Sequence, residues 1–140
     1  MDLARWEQEG RLRRHRTSRR EIADLLGVAE QALRDARVKA VSLDRRFTAA
    51  YDAARSLADA VLAAAGWRAV GVAQHLTAFE ALLLVMGPEY ADLSAYLDAC
   101  RLKRNVAEYR RAGQITEAEV NELIAAVEDL RPRVEALIRR

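Results

Sequence analysis

The stretch SLDRRFTAAYDAARSLADAVLAAAG, residues Ser42 to Gly66, decides the fold. Its first residue can accept from the unpaired N–H groups of a helix start, and its last has the backbone freedom that closes one. Between them Phe47, Tyr51, Ala54, Ala58, Val61 and Ala65 recur at helical spacing, giving a continuous apolar face. Most of these side chains are small, so a neighbouring helix can approach closely. A helix of this kind belongs inside a bundle.

The flanking sequence repeats the pattern. Ser18-Arg-Arg-Glu21 reads as a capping box opening a helix that ends near Arg37, with Ile22, Leu25, Leu26, Ala29, Leu33 and Ala36 on its apolar side. A short connection, Trp67 to Val72, leads to a helix from about Gln74 to Met86 that is apolar on most sides. Gly87-Pro88 stops it, and the next helix runs from about Glu89 to Ala112, closed by Gly113. Thr116-Glu-Ala-Glu119 is a second capping box, and Pro132 should kink or end the last helix near Leu130. Asp2 to about Arg14 reads as weakly helical, interrupted by Gly10, and no segment reads as a strand. The expected architecture is all-α: an antiparallel bundle of four to five main helices (18–140) with a short, basic N-terminal helical arm (1–17).

Composition agrees. The chain has 140 residues, one domain by size, with only 6 Gly and 2 Pro to punctuate it. No apolar run approaches the roughly 20 residues that cross a bilayer. No apolar signal core follows the N-terminus, and Cys100 has no second cysteine to pair with, so a reducing cytoplasm is the expected home. Net charge is +2, but residues 1–20 carry seven arginines against Asp2, Glu7 and Glu9. Such an arm favours phosphate-rich partners or is merely solvated.

The chemistry concentrates in Arg101-Leu-Lys-Arg104-Asn105-Val-Ala-Glu108-Tyr109. On a helix, Leu93, Tyr96, Leu97, Cys100, Arg104 and Ala107 share one side, so Arg104 interrupts a core-facing stripe. A guanidinium there needs a carboxylate, carbonyl or phosphate at its fork. Ser94, Asp98, Arg101, Asn105 and Tyr109 form a polar ladder beside it. The plain alternative is that Arg101 and Arg104 pair with Asp98 and Glu108 on the surface.

The order of helices, the Arg104-Asn105 pair and the tyrosine after it resemble HEPN domains of the small stand-alone bacterial kind. The likeness extends through the helix after Ser42 and through His75-Leu-Thr-Ala-Phe-Glu80. The resemblance implies a homodimer whose two motifs line one cleft. It also implies metal-independent cleavage of RNA (tRNA or mRNA), or a derived RNA- or nucleotide-binding role, in a toxin–antitoxin or defence system. Arg104 matches the motif arginine and Asn105 its polar follower. The histidine expected four to six residues later is replaced: by Tyr109, Arg110 or Arg111 counting from Arg104, and by Ala107, Glu108 or Tyr109 counting from Arg101.

In that scheme the 2′-hydroxyl loses a proton, the leaving 5′-oxygen gains one, and arginines hold the phosphoryl charge. Arg101 and Arg104 suit the phosphate and Asn105 its orientation, while Tyr109, Glu108 and His75 are the remaining candidates for proton transfer. The resemblance also makes Tyr109 the target of a partner nucleotidyltransferase acting as antitoxin. His75, in a first helical turn, is otherwise a hydrogen-bonded structural residue. Two separated histidines and one cysteine give no zinc site, and no phosphate-loop glycines are present, so neither metal nor cofactor is expected. Trp6 and Trp67 read as packing anchors.

Two other classes remain. Residues 19–37 match a helix-turn-helix if the chain turns at Gly27, which makes DNA a partner. The third class is a non-catalytic helical interaction module.

Overall fold

The computed structural model describes residues 2–109 and 113–139, apart from the side chains of 106–109. The side chains of Glu108 and Tyr109, both candidates above, therefore lie outside the described residues, as does the expected helix end at Ala112. In chain order the elements are α1 (Leu3–Gln8), β1 (Leu12–Arg14), α2 (Arg19–Ala36), α3 (Leu43–Ala64), β2 (Trp67–Ala69), α4 (Gln74–Met86), a 3-10 turn (Pro88–Tyr90), α5 (Ala91–Tyr109) and α6 (Glu117–Ile138). The fold is an all-α bundle, as the spacing predicts.

Helix α3 runs through the middle and packs against α2, α4, α5 and α6. Its alanines at 50, 53, 54, 58 and 60 are fully buried, which is what lets the neighbours close on it. Ser42 caps it, accepting from the Arg45 N–H, and the chain leaves through Gly66 at φ +91°. Its first turn also holds the loop before α6: the Asp44 carboxylate accepts from the Gly113 N–H at 2.7 Å. Arg46, 4% exposed, donates from Nε to the Ala36 carbonyl at 2.8 Å. That carbonyl belongs to the end of α2, where the helix dipole favours a cation.

Four expectations are corrected. A strand pair exists: β1 and β2 are antiparallel, with Leu12 opposite Ala69, Arg13 opposite Arg68 and Arg14 opposite Trp67. The first helix accordingly stops at Gln8, and the connection after Gly66 is half strand. Second, α2 is unbroken through Gly27, so the turn that the helix-turn-helix reading requires is missing. One glycine costs a helix interior only about 1 kcal/mol, less than burying Ala29 and Leu33 beyond it returns. Third, α6 continues past Pro132. The proline sits on the exposed face, where water can serve the carbonyl it leaves unpaired, while Leu130 and Val134 on either side are buried.

The fourth concerns the start of α2. Ser18 caps it through the Glu21 N–H, but the Glu21 carboxylate does not complete the box. It takes the Thr17 hydroxyl and the His15 ring at 2.7 Å each. The reciprocal box is made at α6, between Thr116 and Glu119.

The arm is tied to the bundle by its aromatic and basic residues. Trp6 is buried beneath the Arg11 guanidinium, whose Cζ lies 4.1 Å from the ring centroid. Arg11 also reaches α4, donating to the Thr77 hydroxyl and to Glu80. Arg14 covers Trp67 in the same way at 4.7 Å. Both tryptophans are packing anchors, as expected.

Candidate functional site

Helices α4 and α5 lie side by side, and an open groove of about 400 Å³ runs between the start of α4 and the second half of α5. It is lined by Val72, Ala73, His75 and Leu76 on one side and by Arg101, Arg104 and Asn105 on the other. Four of the six residues singled out from the sequence therefore meet in one place. Nothing in their spacing along the chain required it, because His75 and the arginines sit on different helices.

Beneath the groove lies a residue that sequence reasoning assigned only to the core. Tyr51 of α3 is fully buried, with its hydroxyl 2.6 Å from His75 Nδ1. The tyrosine and histidine rings are nearly parallel, centroids 5.9 Å apart, and Phe79 meets Tyr51 edge-on at 5.6 Å. The Arg104 guanidinium lies over the Tyr51 ring, Cζ 5.1 Å from its centroid. So Arg104 does turn toward the apolar stripe, and an aromatic face receives part of its charge. Arg101 keeps the plain pairing, donating from Nε to Asp98 at 2.7 Å. On the adjoining side of α5, Lys103 pairs with Glu119 of α6, which helps fix the helix's rotation.

Protonation follows from burial and from the arginines. Burial, reinforced by the charges of Arg55, Arg104 and Arg101, pushes the His75 imidazole down to about 4, so it is neutral at pH 7. Burial pushes the Tyr51 phenol up to about 12, against the pull of the same arginines, so it keeps its proton. A buried hydroxyl needs an acceptor, and among the described residues its hydrogen-bond partner is His75 Nδ1. Assigned on those grounds, Tyr51 donates to Nδ1 and the imidazole proton resides on Nε2. Elsewhere on α5, burial raises the Cys100 thiol above its ordinary range, which suits packing and not reactivity. Among the described residues no cluster of three or more His, Cys, Asp or Glu is placed to hold a metal ion, and no helix is long and apolar enough to cross a membrane.

What this arrangement offers chemically is a cationic, partly apolar cleft with two guanidinium groups, a carboxamide and a neutral imidazole. Asp98, paired with Arg101, offsets part of that charge. The fork of an arginine matches two phosphate oxygens at once, and Asn105 adds both a donor and an acceptor. Comparison of the chain with protein-family models, with curated proteins and with solved structures finds no match.

Proposed function

We propose that the α4–α5 groove binds the phosphodiester backbone of RNA and that the protein acts as a HEPN-like, metal-independent endoribonuclease or its RNA-binding derivative. The observation that carries this reading is the convergence of Arg101, Arg104, Asn105 and His75 on one open groove. Arg101 and Arg104 take the phosphoryl oxygens and Asn105 orients them.

His75 supplies what the missing motif histidine would otherwise supply. Burial is the main cause of its depression, with the Arg55, Arg104 and Arg101 charges added to it; a bound phosphate offsets the last two, so its pKa rises when the groove is occupied. The imidazole, charged in the occupied groove, then gives its Nε2 proton to the leaving 5′-oxygen and returns to its neutral form, water takes the proton of the attacking 2′-hydroxyl, and Tyr51 holds the opposite ring edge. In the two-copy form of this reading, Val72, wholly exposed at the lip of the groove, is a residue that a second subunit would cover. Tyr109 remains the position that a nucleotidyltransferase antitoxin would modify.

The test is incubation of the protein with tRNA in EDTA, beside R104A and H75A. Cleavage by the parent that both substitutions abolish supports the enzyme. Binding without cleavage, lost in R104A, supports the derivative. Cleavage or binding that both variants retain in full removes the groove from the account.

A further inference from the structure

A second cluster of arginines lies outside the groove. Arg13 and Arg68 face each other directly across β1 and β2, and both are exposed. Like charges directly opposed on a two-stranded ribbon are unfavourable. Arg19 and Arg20 occupy the first turn of α2, at the positive end of the helix dipole, where cations are also disfavoured. Arg16, exposed, lies on the chain between them.

None of these five has an ion pair or a side-chain hydrogen bond among the described residues. By contrast, Arg5, Arg34 and Arg133 are paired to Glu9, Glu30 and Asp129. Two carboxylates feel the Arg68 charge, Glu21 and Asp59, but Glu21 is held by His15 and Thr17 and Asp59 by Arg55. Two separate placements of positive charge thus oppose local stability, and a bound polyanion would relieve both.

The patch also adjoins the groove. A cavity of about 240 Å³ under the ribbon is lined by His15, Glu21, Arg55, Arg68 and Gln74 among others. Gln74 is the chain neighbour of His75, which lines the groove, and Arg55 reaches toward Gln74 at 3.4 Å. The ribbon surface and the groove therefore flank the same end of α4. We propose that Arg13, Arg16, Arg19, Arg20 and Arg68 form a docking surface for the RNA backbone, holding the strand that flanks the phosphate in the groove; this rests on the RNA reading of that groove. An anionic bilayer fits less well. The exposed large apolar residues among those described are Val28, Val38, Val41, Val72 and Leu102, none within the ribbon or the first turn of α2, so the patch has nothing to insert.

The experiment titrates a labelled single-stranded RNA of about 20 nucleotides against the parent, R13S/R19S/R20S, the control R5S/R34S/R133S and R104A, with salt varied from about 50 to 200 mM. The sites are exposed, and circular dichroism verifies the fold of each variant. The expected result is an affinity about tenfold weaker for the patch variant, with a salt slope shallower by about 2, near 0.7 for each phosphate that is no longer neutralised. The control, which removes equal charge elsewhere, should weaken much less.

An unchanged patch variant, or an equal loss in the control, overturns the docking surface and leaves the groove reading standing. Loss in the patch variant with R104A at parental affinity and activity overturns the groove reading and, with it, the claim that the surface serves the groove. Absence of RNA binding by the parent at the lowest salt, or binding to phosphatidylserine vesicles in its place, overturns the proposal.

Discussion

Two corners of this bundle each press an arginine against an apolar surface, and they treat it differently. At the α2–α3 corner, Arg46 is almost sealed from solvent and ends on the carbonyl of Ala36. At the α4–α5 corner, Arg104 lies over the Tyr51 ring and borders an open groove. A guanidinium whose fork is met by a backbone acceptor is a structural pin. One that lies over an aromatic ring and lines an open cleft with a second arginine, an amide and a histidine borders a candidate site. Burial alone does not separate structure from site; what the charge faces does.

That contrast can be broken by measurement. Arg46→Ala should have the largest effect on stability, about 2–3 kcal/mol, because it leaves a buried carbonyl without its charged donor. Urea unfolding measures it, and RNA binding per molecule of folded protein should be untouched. Tyr51→Phe should cost about 1 kcal/mol, the worth of one hydrogen bond, seen as a melting point lower by a few degrees. It should also free Nδ1, so that the imidazole proton distributes between the two nitrogens in 15N spectra. Arg104→Ala should cost the least, about 0.5–1 kcal/mol for removal of the cation–π interaction, while abolishing the RNA binding proposed for the groove. An Arg104→Ala variant less stable than Arg46→Ala would reverse the comparison.

The same corner also sets a pH dependence. With the folded His75 depressed to about 4 from an ordinary 6.5, the unfolded chain binds more protons between those values. Stability therefore rises with pH across that window, is fully present above about 6.5 and is lost as pH falls toward 4. NMR titration of the His75 ring in the folded protein checks the value directly. A midpoint near 6.5 would show that burial and the arginines do not act on it as described.

Much of the fold was legible because helix signals are local. Ser18, Ser42 and Thr116 each act as the N-cap they resemble, and Gly66 and Gly87 both stand at positive φ after helix ends. The ribbon was not legible. Three residues per strand carry no readable alternation, and their pairing joins Leu12 to Ala69, a contact created by where α1 and α3 end. Pro132 misled for the opposite reason: the local rule is sound, and packing of Leu130 and Val134 overrode it.

At the site, Arg101, Arg104 and Asn105 stood out because a cationic cluster on an amphipathic helix is visible in one dimension. His75 was identifiable as a candidate only, since the sequence does not say which helix faces which. Tyr51 was hidden altogether. It keeps the helical register of a core residue, and its second role, a hydroxyl bonded to a residue 24 positions away and a ring beneath Arg104, exists only once the helices are packed.

The ribbon corner has one practical corollary. Both tryptophans of the chain, Trp6 and Trp67, sit there, each roofed by an arginine. Intrinsic tryptophan emission from this protein is therefore a local gauge and not a global one. It reports whether the N-terminal segment is seated and its guanidinium covers are in place, and it can stay silent while distant helices fray.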